Sequence, residues 1–456
     1  MILSQDGVQG KSTAQRIAED AATRGDATRH DVVDSRALDR PLAHDQLTHF
    51  VGFDWASDHH DVVVVDRAGT IVCSFRFDDT AEGWQSFRAK LAPLGPLGVV
   101  VETRSGAVVE RLLNSGLTVF PISPKAAERY RDRKAPSGTK NDQLDAWSAA
   151  DALRTDGHAW RALVPDDAAT QELRLLCRDE VHLIELRTAL VLQLRAALGE
   201  YFPTALRLFD DWTVRAAWAF VVRFPTPAAA RDAGRKACKT FFREHGLSRG
   251  ELLKQRLAIL DQADALAGSP AVTAAKSRLA VTLARQLLLL DEQLDEQRHA
   301  IEARFEAHAD HAIFASLPGA GSKLAPRLLS EFGSDRARFD SPEAVQCYGG
   351  SAPVSFQSGQ IKRVRLRRAC NRLLRAALHL WANLSRRKSI WAAAYYKQKR
   401  TEGKSHACAL RCLAQRWLKI LWRMWQTRTP YDESQHLANQ RQHGSWVTQL
   451  LEAPAA

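Results

Sequence analysis

The chain lacks the long apolar segments and nucleotide-binding motifs that would assign it to several common classes of protein. No apolar run approaches the roughly 18–20 residues of a membrane-spanning helix, because the longest candidate, around Leu279 to Leu290, contains Arg285 and Gln286. The first residues, MILSQDGVQGKST, have no apolar core of the kind found in secretory signals. The segment GVQGKST has Gln5 where a phosphate loop requires its first glycine. These absences argue against a membrane protein, a secreted protein and a P-loop nucleotide-binding protein.

Cysteine is sparse and scattered. The seven cysteines form no CxxC pair, and their number is odd. Cys408 and Cys412 share one helix face by their spacing, but no second pair of ligands accompanies them. The pattern therefore predicts neither a disulfide framework nor a structural zinc site, and it favours a reducing cytoplasm as the setting.

Acidic residues are nearly absent from one long stretch of an otherwise ordinary globular composition. The 456 residues are 45% hydrophobic and 25% charged, with a net charge of +12. Between Ala344 and Tyr431 there are 19 Lys and Arg residues and one acid, Glu402, so this stretch carries +18 and the rest of the chain −6. A localised positive field of this kind indicates contact with a polyanion, such as nucleic acid or an anionic membrane surface.

The hydrophobic pattern after a polar first segment predicts an α/β domain. Residues 1–45 are polar and weakly periodic, and we expect them to form a poorly ordered extension. Three apolar runs at hairpin spacing follow, FVGFDWA, VVVVD and IVCSFRF, and two further strands, GVVVE and LTVFPI, alternate with helical segments. GVVVE is apolar up to its final residue, as a buried central strand is. We therefore predict a mixed sheet with helices on its faces over residues 46–165.

The remainder of the chain is predicted to be helical. Leucines recur at spacings of three, four and seven over about 171–200 and 275–307, which predicts two long helices paired as an antiparallel or an intermolecular coiled coil. These helices and the insertion between them make a predicted domain over 166–310. A mainly helical domain over 311–435 begins with a helix, a tight PGAG turn and a second helix, similar to a helix-hairpin-helix. Residues 436–456 are expected to be a tail.

Four carboxylates stand where a metal site could form. Asp54 closes the first predicted strand and Glu102 closes the central one, and strand ends are where α/β folds bind ligands. Asp142 and Asp145, in KNDQLDA, lie three residues apart at the start of a helix and so share one face. Four converging acids would repel one another unless a hard cation such as Mg²⁺ relieved the repulsion, which suits phosphoryl chemistry.

Two separate sets of motifs resemble one family. GFDWA, VVET and KNDQLDA match, in order and approximate spacing, the DEDD catalytic set of a RuvC-like, RNase H-like nuclease domain. SLPGAGSKLAPRLLSEFG, FDSPEAVQCYGGSAPVSFQSGQIKR and RRACNRLLRAALHLWA are similar to the second domain of the DEDD insertion-sequence transposases, the IS110 family with its Piv and MooV invertase relatives. The resemblance covers about residues 48–435. It implies an RNase H-like fold and a Mg²⁺-dependent DNA transposase, with the four acids as catalytic metal ligands.

The same resemblance implies a nucleophilic serine. In the family this serine stands in the phrase that is FQSG here, which assigns it to Ser358; Ser351 and Ser355 are nearby, but neither precedes the glycine. We expect Ser358 to lie in a flexible loop and to form a covalent bond to a DNA phosphate before strand exchange. Basic residues that follow it are predicted to hold the nucleic acid backbone: Lys362, Arg363, Arg365, Arg367, Arg368 and Arg372.

Aromatic residues interleave with the basic ones over this stretch: Trp381, Trp391, Tyr395, Tyr396, Trp417, Trp422 and Trp425. They could stack on the bases of a single strand. Because they recur at helical spacing, we instead expect most of them to form the core of a basic helical domain.

The family resemblance also implies partners. Donor and target DNA would be selected by a structured non-coding bridge RNA, which agrees with a cationic surface that shows no groove-reading motif. A homo-oligomer, either a dimer or a tetramer, is implied, with active sites shared between subunits and no membrane partner. The protein would act in the bacterial cytoplasm, at the nucleoid.

Three other functions stay open on the sequence alone. A site-specific DNA invertase of the Piv type would use the same chemistry on a fixed pair of sites. A structure-specific junction nuclease would have no need of the serine domain. A non-catalytic nucleic-acid-binding derivative would have no need of the four acids.

Overall fold

The computed structural model describes residues 41–135, 137–139 and 141–452. Residues 1–40, which make up most of the predicted extension, lie outside the described residues. The chain divides into two compact units, the first ending at Pro165 and the second beginning at Asp166.

The first unit is built on one five-stranded mixed sheet. Its strands are β1 (His49–Trp55), β2 (His59–Asp66), β3 (Ile71–Asp78), β4 (Leu97–Val101) and β5 (Thr118–Pro121). Their order across the sheet is β3-β2-β1-β4-β5. β2 pairs antiparallel with both β1 and β3, whereas β4 pairs parallel with both β1 and β5. A three-strand meander extended by parallel strands confirms the predicted RNase H-like architecture.

Helices cover both faces of this sheet. They are α1 (Ala81–Leu91), α2 (Ala107–Asn114), α3 (Pro124–Lys134) and α4 (Asp142–Asp156). Because successive side chains of a strand point to opposite faces, Phe53 packs with α1 and α2, whereas Phe50 packs with α4. β1 and β4 are buried on both sides, which explains their nearly continuous apolar sequences.

Two long helices dominate the start of the second unit. Helix α5 (Ala168–Tyr201) is followed by the shorter helices α6 (Arg215–Arg223), α7 (Pro227–Glu244) and α8 (Gly250–Leu260), and then by α9 (Pro270–Glu306). Ion pairs join the start of α5 to the end of α9 and the end of α5 to the start of α9, so the two helices pair antiparallel within one chain. These pairs are Glu172–Arg304, Glu180–Arg298 and Glu200–Lys276.

The rest of the second unit packs around tryptophans. Its elements are α10 (His311–Ala315), α11 (Gly321–Phe332), α12 (Pro342–Tyr348), β6 (Val354–Ser358), β7 (Ile361–Arg365), α13 (Arg372–Ser385), α14 (Ile390–Thr401), α15 (His406–Thr427), α16 (Glu433–Gln442) and α17 (Trp446–Glu452). Trp381, Trp417 and Trp425 are fully buried, and Trp391 and Tyr395 nearly so. The expectation that most of these aromatics form a core is confirmed. Leu437 and Val447, from the last two helices, join the same core.

The glycine turn between α10 and α11 packs against protein on one side. Gly319 has φ +78°, and a Cβ there would lie 2.9 Å from the backbone carbonyl carbon of Leu384. The indole Nε1 of Trp381 also donates a hydrogen bond to the Pro318 carbonyl oxygen at 3.1 Å. The turn is therefore held against α13, and glycine is needed there for both its conformation and the close approach.

Candidate active site

Two neighbouring parallel strands bring the first two acids to one edge of the sheet. Phe53 of β1 pairs with Val101 of β4. Asp54 is the next residue of β1 and Glu102 directly follows β4, so both lie at the carboxyl edge, where this class of sheet binds ligands. The predicted placement of these two carboxylates depends only on parallel pairing in this register.

A glycine brings the helical acids to the same edge. A Cβ on Gly52 would lie 1.7 Å from the carbonyl oxygen of Ala146, so α4 crosses β1 at a distance that only glycine permits. The Asn141 side chain caps this helix by accepting a hydrogen bond from the Leu144 amide at 2.7 Å. Asp142 and Asp145 therefore occupy the first turn of α4, where the helix dipole favours negative charge.

Three of the four acids line one cavity. Asp54, Glu102 and Asp145 face a cavity of about 550 Å³ next to the start of α3. Lys125, Glu128 and Arg131 of α3 also contribute to its wall. Asp142 is not among the lining residues, although its charge acts on Asp54. The structure thus groups Asp54, Glu102 and Asp145 and places Asp142 to one side.

Asp54 has the most perturbed carboxyl group in this region. Burial, followed by the nearby charges of Asp145, Asp142 and Glu102, raises its pKa from 3.8 to about 6. Both causes disfavour the ionised form. A cation held among these carboxylates would offset the repulsion and favour the ionised form of Asp54, so the raised pKa marks a place suited to a metal ion.

Two arginines balance the helical acids, and sequence reasoning missed both. Arg131 of α3 donates to Asp145 at 3.0 Å. Arg76 of β3 donates to Asp142 at 2.9 Å and also to the buried carboxylate of Asp61 at 2.7 Å. An arginine in the otherwise mainly apolar strand IVCSFRF was the available signal, but its partners depend on how three strands and a helix pack.

Asp61 is a further acid close to the predicted set. It lies opposite Asp54 in the β1–β2 pairing. With His59 and Asp142 it forms a group whose potential ligand atoms all lie within 4.8 Å of one another. Within the described ranges, this is the one such group of three, so the four predicted acids do not converge as tightly as a closed metal site would require. Transposases of the DEDD type usually use a divalent metal.

Ser358 lies on a hairpin, where the sequence had predicted a flexible loop. It is the last residue of β6 and pairs with Ile361, the first residue of β7. Gly359 occupies the first position of the two-residue turn. Its φ of +55° is one that glycine adopts readily, and hairpin turns of this kind have glycine at that position. Every residue of both strands is exposed. The loop prediction was wrong because the SGQ turn is short enough to let the flanking residues pair.

The hairpin sorts the predicted basic residues by face. Directly paired residues of an antiparallel ladder share a face, and faces alternate along each strand. Arg363 and Arg365, which pair with Phe356 and Val354, therefore lie on the Ser358 face, whereas Lys362 lies on the other. Beyond the hairpin, Arg368 and Arg372 are exposed, and Arg367 is half-buried with its Nε donating to the Ala352 carbonyl.

This sheet order, with acids at adjoining strand ends and on the first turn of the following helix, defines an RNase H-like domain of the DEDD type. A DEDD transposase family model of the IS110 type matches residues 51–203. A second model, described as transposase IS116/IS110/IS902 family, matches residues 311–397. Together the two models cover the sheet domain and the region of the Ser358 hairpin.

Curated relatives agree along most of the chain. "Mini-circle putative transposase for IS117" of Streptomyces coelicolor is 36% identical over 86% of this chain and 98% of that protein. The IS110 43.6 kDa protein of the same species is 30% identical over 84% and 95%, and the IS900 42 kDa protein of Mycobacterium paratuberculosis is 29% identical over 82% and 94%. The chain belongs to the IS110 family of insertion-sequence transposases, which cleave and recombine DNA. Its described helices include none long and apolar enough to cross a membrane.

Proposed function

We propose that this transposase cleaves and exchanges DNA strands in a Mg²⁺-dependent reaction that uses its carboxylate cluster and Ser358. The observation that carries the proposal is the meeting of Asp54, Glu102 and Asp145 in one cavity, with the pKa of Asp54 raised to about 6. Three neighbouring carboxylates are better suited to bind a hard divalent cation than to act as a general acid and a general base, because their like charges must be neutralised together.

The donor set fits Mg²⁺. Asp54, Glu102 and Asp145 offer carboxylate oxygens, which Mg²⁺ prefers, and Asp142 stands beside them on the same helix turn. When bound, the ion would supply charge that activates a nucleophile and stabilises a leaving oxygen. Arg76 and Arg131 hold the two helical carboxylates by hydrogen bonds. These ion pairs offset part of the negative charge of Asp142 and Asp145, and they compete with a cation for the two carboxylates.

Ser358 supplies the nucleophile of the proposed reaction. A new bond forms between its Oγ and the phosphorus of a DNA phosphodiester, while one P–O bond of the strand breaks and that oxygen leaves as a hydroxyl. Strand exchange then transfers the phosphate from the serine to a hydroxyl of the second DNA and frees the serine. Arg363 and Arg365, on the serine's face of the hairpin, would hold the neighbouring phosphates and stabilise the charge that develops.

The proposed partners are donor and target DNA, a structured bridge RNA and further copies of the chain. Exposed cations on both faces of the hairpin would bind a phosphate backbone without selecting a sequence, which a guide RNA would do instead. A dimer or tetramer is supported by large apolar side chains exposed on the paired long helices. These are Leu175, Leu186, Leu192, Leu279 and Leu289.

The test is a strand-cleavage and adduct assay on DNA that carries the ends of the insertion sequence. Wild-type protein with co-purified RNA and Mg²⁺ should form a covalent protein–DNA adduct that survives denaturing electrophoresis. Chelation of Mg²⁺ and the substitution Asp54→Ala should each abolish cleavage, and Ser358→Ala should abolish the adduct.

The matched control for the serine is Ser355→Ala, which removes a hydroxyl from the same strand on the opposite face. This variant should form adducts at the wild-type level. An adduct that persists in Ser358→Ala would overturn the serine assignment. Cleavage that is unaffected by both chelation and Asp54→Ala would overturn the metal site.

A further inference from the structure

A second cavity lies at the root of the β6–β7 hairpin. It has a volume of about 530 Å³ and is bordered by Gly349–Ser351, which lead into β6, and by Leu366, which directly follows β7. Helices α13 and α15 supply the rest of the wall. The two chain segments that flank the hairpin carrying Ser358 therefore both line this cavity. Its volume is within the range of small-ligand pockets.

The wall of this cavity combines an apolar surface with cations. Its apolar residues are Leu366, Ala376, Leu378, Leu380 and Ala414, and two of them, Leu366 and Leu380, are nearly half exposed. Arg375, His379 and Arg411 also face it, and none of the described residues that line it is a carboxylate. Burial and the neighbouring His406 and Arg411 lower the pKa of His379, in agreement with a locally positive field. A ligand that matches both features is an anion with a flat, weakly polar body.

We propose that this cavity, here named the root pocket, binds one unstacked nucleotide of the DNA or RNA strand that runs along the hairpin. The base would lie against the leucine and alanine wall and the His379 ring, and its phosphate beside Arg375 and Arg411. Unstacked bases are bound in this way by aromatic rings, by guanidinium planes and by apolar side chains. The inference rests on the proposed action on nucleic acid and specifies where one nucleotide is held.

A nucleotide bound in the root pocket would also help to position the strand near Ser358. Ile361, which pairs with Ser358, is five residues from Leu366 in the pocket wall, which is about 17 Å along an extended chain. A nucleotide held at the root would therefore fix the same strand within a few nucleotides of the serine. It would also brace the two segments that flank a hairpin whose strand residues are all exposed.

The experiment uses the full chain and 20-nucleotide single strands of DNA or RNA that carry 4-thiothymidine or 4-thiouridine. Photo-cross-links are mapped by mass spectrometry, and affinity is measured by fluorescence anisotropy. Two variants act on the root pocket: Ala376→Trp fills it, and Arg411→Gln removes a cation. Arg423→Gln is the matched control, because it removes an exposed cation from the same helix at a position that does not line the pocket.

Cross-links from wild-type protein should map to the lining residues, and both pocket variants should bind about tenfold more weakly, as expected for one lost base-stacking or phosphate contact. Arg423→Gln should lose less affinity and keep the cross-links. Cross-links from DNA alone or from RNA alone would identify which strand supplies the nucleotide.

Equal affinity in all three variants, with no cross-link in the pocket, would overturn the root-pocket proposal while leaving Mg²⁺-dependent cleavage and the serine adduct intact. Protein–protein cross-links from the pocket to a second copy, without cross-links to the oligonucleotide, would overturn it as well. Pocket cross-links in a protein that fails the cleavage and adduct assay would instead count against the proposed reaction alone.

Discussion

The carboxylate site and the Ser358 hairpin differ in how much of their geometry the fold itself provides. Asp54 and Glu102 extend from strands buried on both faces, and α4 is seated on β1 at Gly52. Ser358 is the last residue of β6, and both strands of its hairpin are exposed throughout, with Val364 at 73% exposure. An isolated two-stranded hairpin is marginally stable in water. The fold itself therefore positions the acid cluster, whereas we expect the serine to be positioned by what the hairpin binds.

The two regions also balance charge differently. The helical acids have internal partners, Arg76 and Arg131. In the basic stretch the one acid, Glu402, pairs with Lys399 and leaves the hairpin cations exposed to a polyanion. One region therefore has its repulsion reduced within the fold, and the other keeps an excess of one sign for a partner to neutralise.

The largest predicted effect is a difference in stability loss between substitutions at two glycines, one in each region. Gly52→Val should destabilise the first unit by about 3 kcal/mol or more and abolish metal-dependent cleavage, because its side chain would collide with the backbone of α4. Gly359→Ala should cost only about 1 kcal/mol, since it strains one turn residue and its added carbon has no atom of the described residues within 4 Å. Thermal unfolding and cleavage assays on both variants test this. Equal effects would contradict the claim that the acid site depends on its scaffold more than the hairpin does.

The next effect is a pH dependence of the acid site. Because the pKa of Asp54 is about 6 in the metal-free protein, divalent-metal binding should weaken by up to about tenfold per pH unit as pH falls below 6. Because the pKa of Asp54 is higher in the folded than in the unfolded protein, its protonated carboxyl contributes to stability below pH 4. This contribution is lost as the pH rises through 6.

Asp54→Asn should therefore stabilise the metal-free protein at pH 7.5 by about 1 kcal/mol, after allowance for solvent screening. Calorimetry with Mn²⁺ and melting curves in chelator measure the two effects. Metal binding that is constant from pH 5 to 7.5 would contradict the proposed role of Asp54.

A smaller effect should distinguish the two faces of the hairpin. Arg363→Gln should weaken DNA binding about fivefold, reduce the slope of log K against log salt by about 1, and lower the adduct yield. Lys362→Gln should change binding by a similar amount but leave the adduct yield per bound DNA unchanged, because Lys362 lies on the face opposite Ser358. A loss of adduct in both variants would show that the hairpin does not present one face to the cleaved phosphate.

The smallest effect concerns Arg76, one of the two arginines paired with the helical acids. Arg76→Gln should tighten Mn²⁺ binding by about threefold, because a half-exposed ion pair that competes for Asp142 is removed. Arg88→Gln is a matched control, since Arg88 is an exposed arginine of α1. Weaker Mn²⁺ binding in Arg76→Gln would mean that the arginine mainly orients Asp142. In that case the ion pair between Arg76 and Asp142 would help to position the acid cluster, as the packing of α4 on β1 does.

Much of the first unit followed from local pattern. Alternation and apolar runs predicted all five strands, and the position of Asp54 and Glu102 at strand ends placed them at one edge once β1 and β4 were taken as parallel neighbours. Arg76 and Asp61 could not be found in this way. Their contacts join residues 15 and 66 positions apart in the chain, and no local period specifies them.

In the serine region, too, the sequence predicted the residues involved but not which of them lie together. The family motif assigned Ser358, and the basic run beside it was visible as composition. The hairpin register decided that Arg363 and Arg365, and not Lys362, share the serine's face. A shift of one residue in that pairing would exchange the two faces.

The sequence by itself determined the order of the elements, the acids available at the strand ends, the concentration of positive charge and the family, because each is written in neighbouring residues or in composition. Only the tertiary structure decided that Asp54, Glu102 and Asp145 share a cavity, that arginines neutralise the helical acids, and that a cationic pocket opens at the root of the hairpin. Each of these depends on distances between elements far apart in the chain, and those distances are set by side-chain packing and strand register.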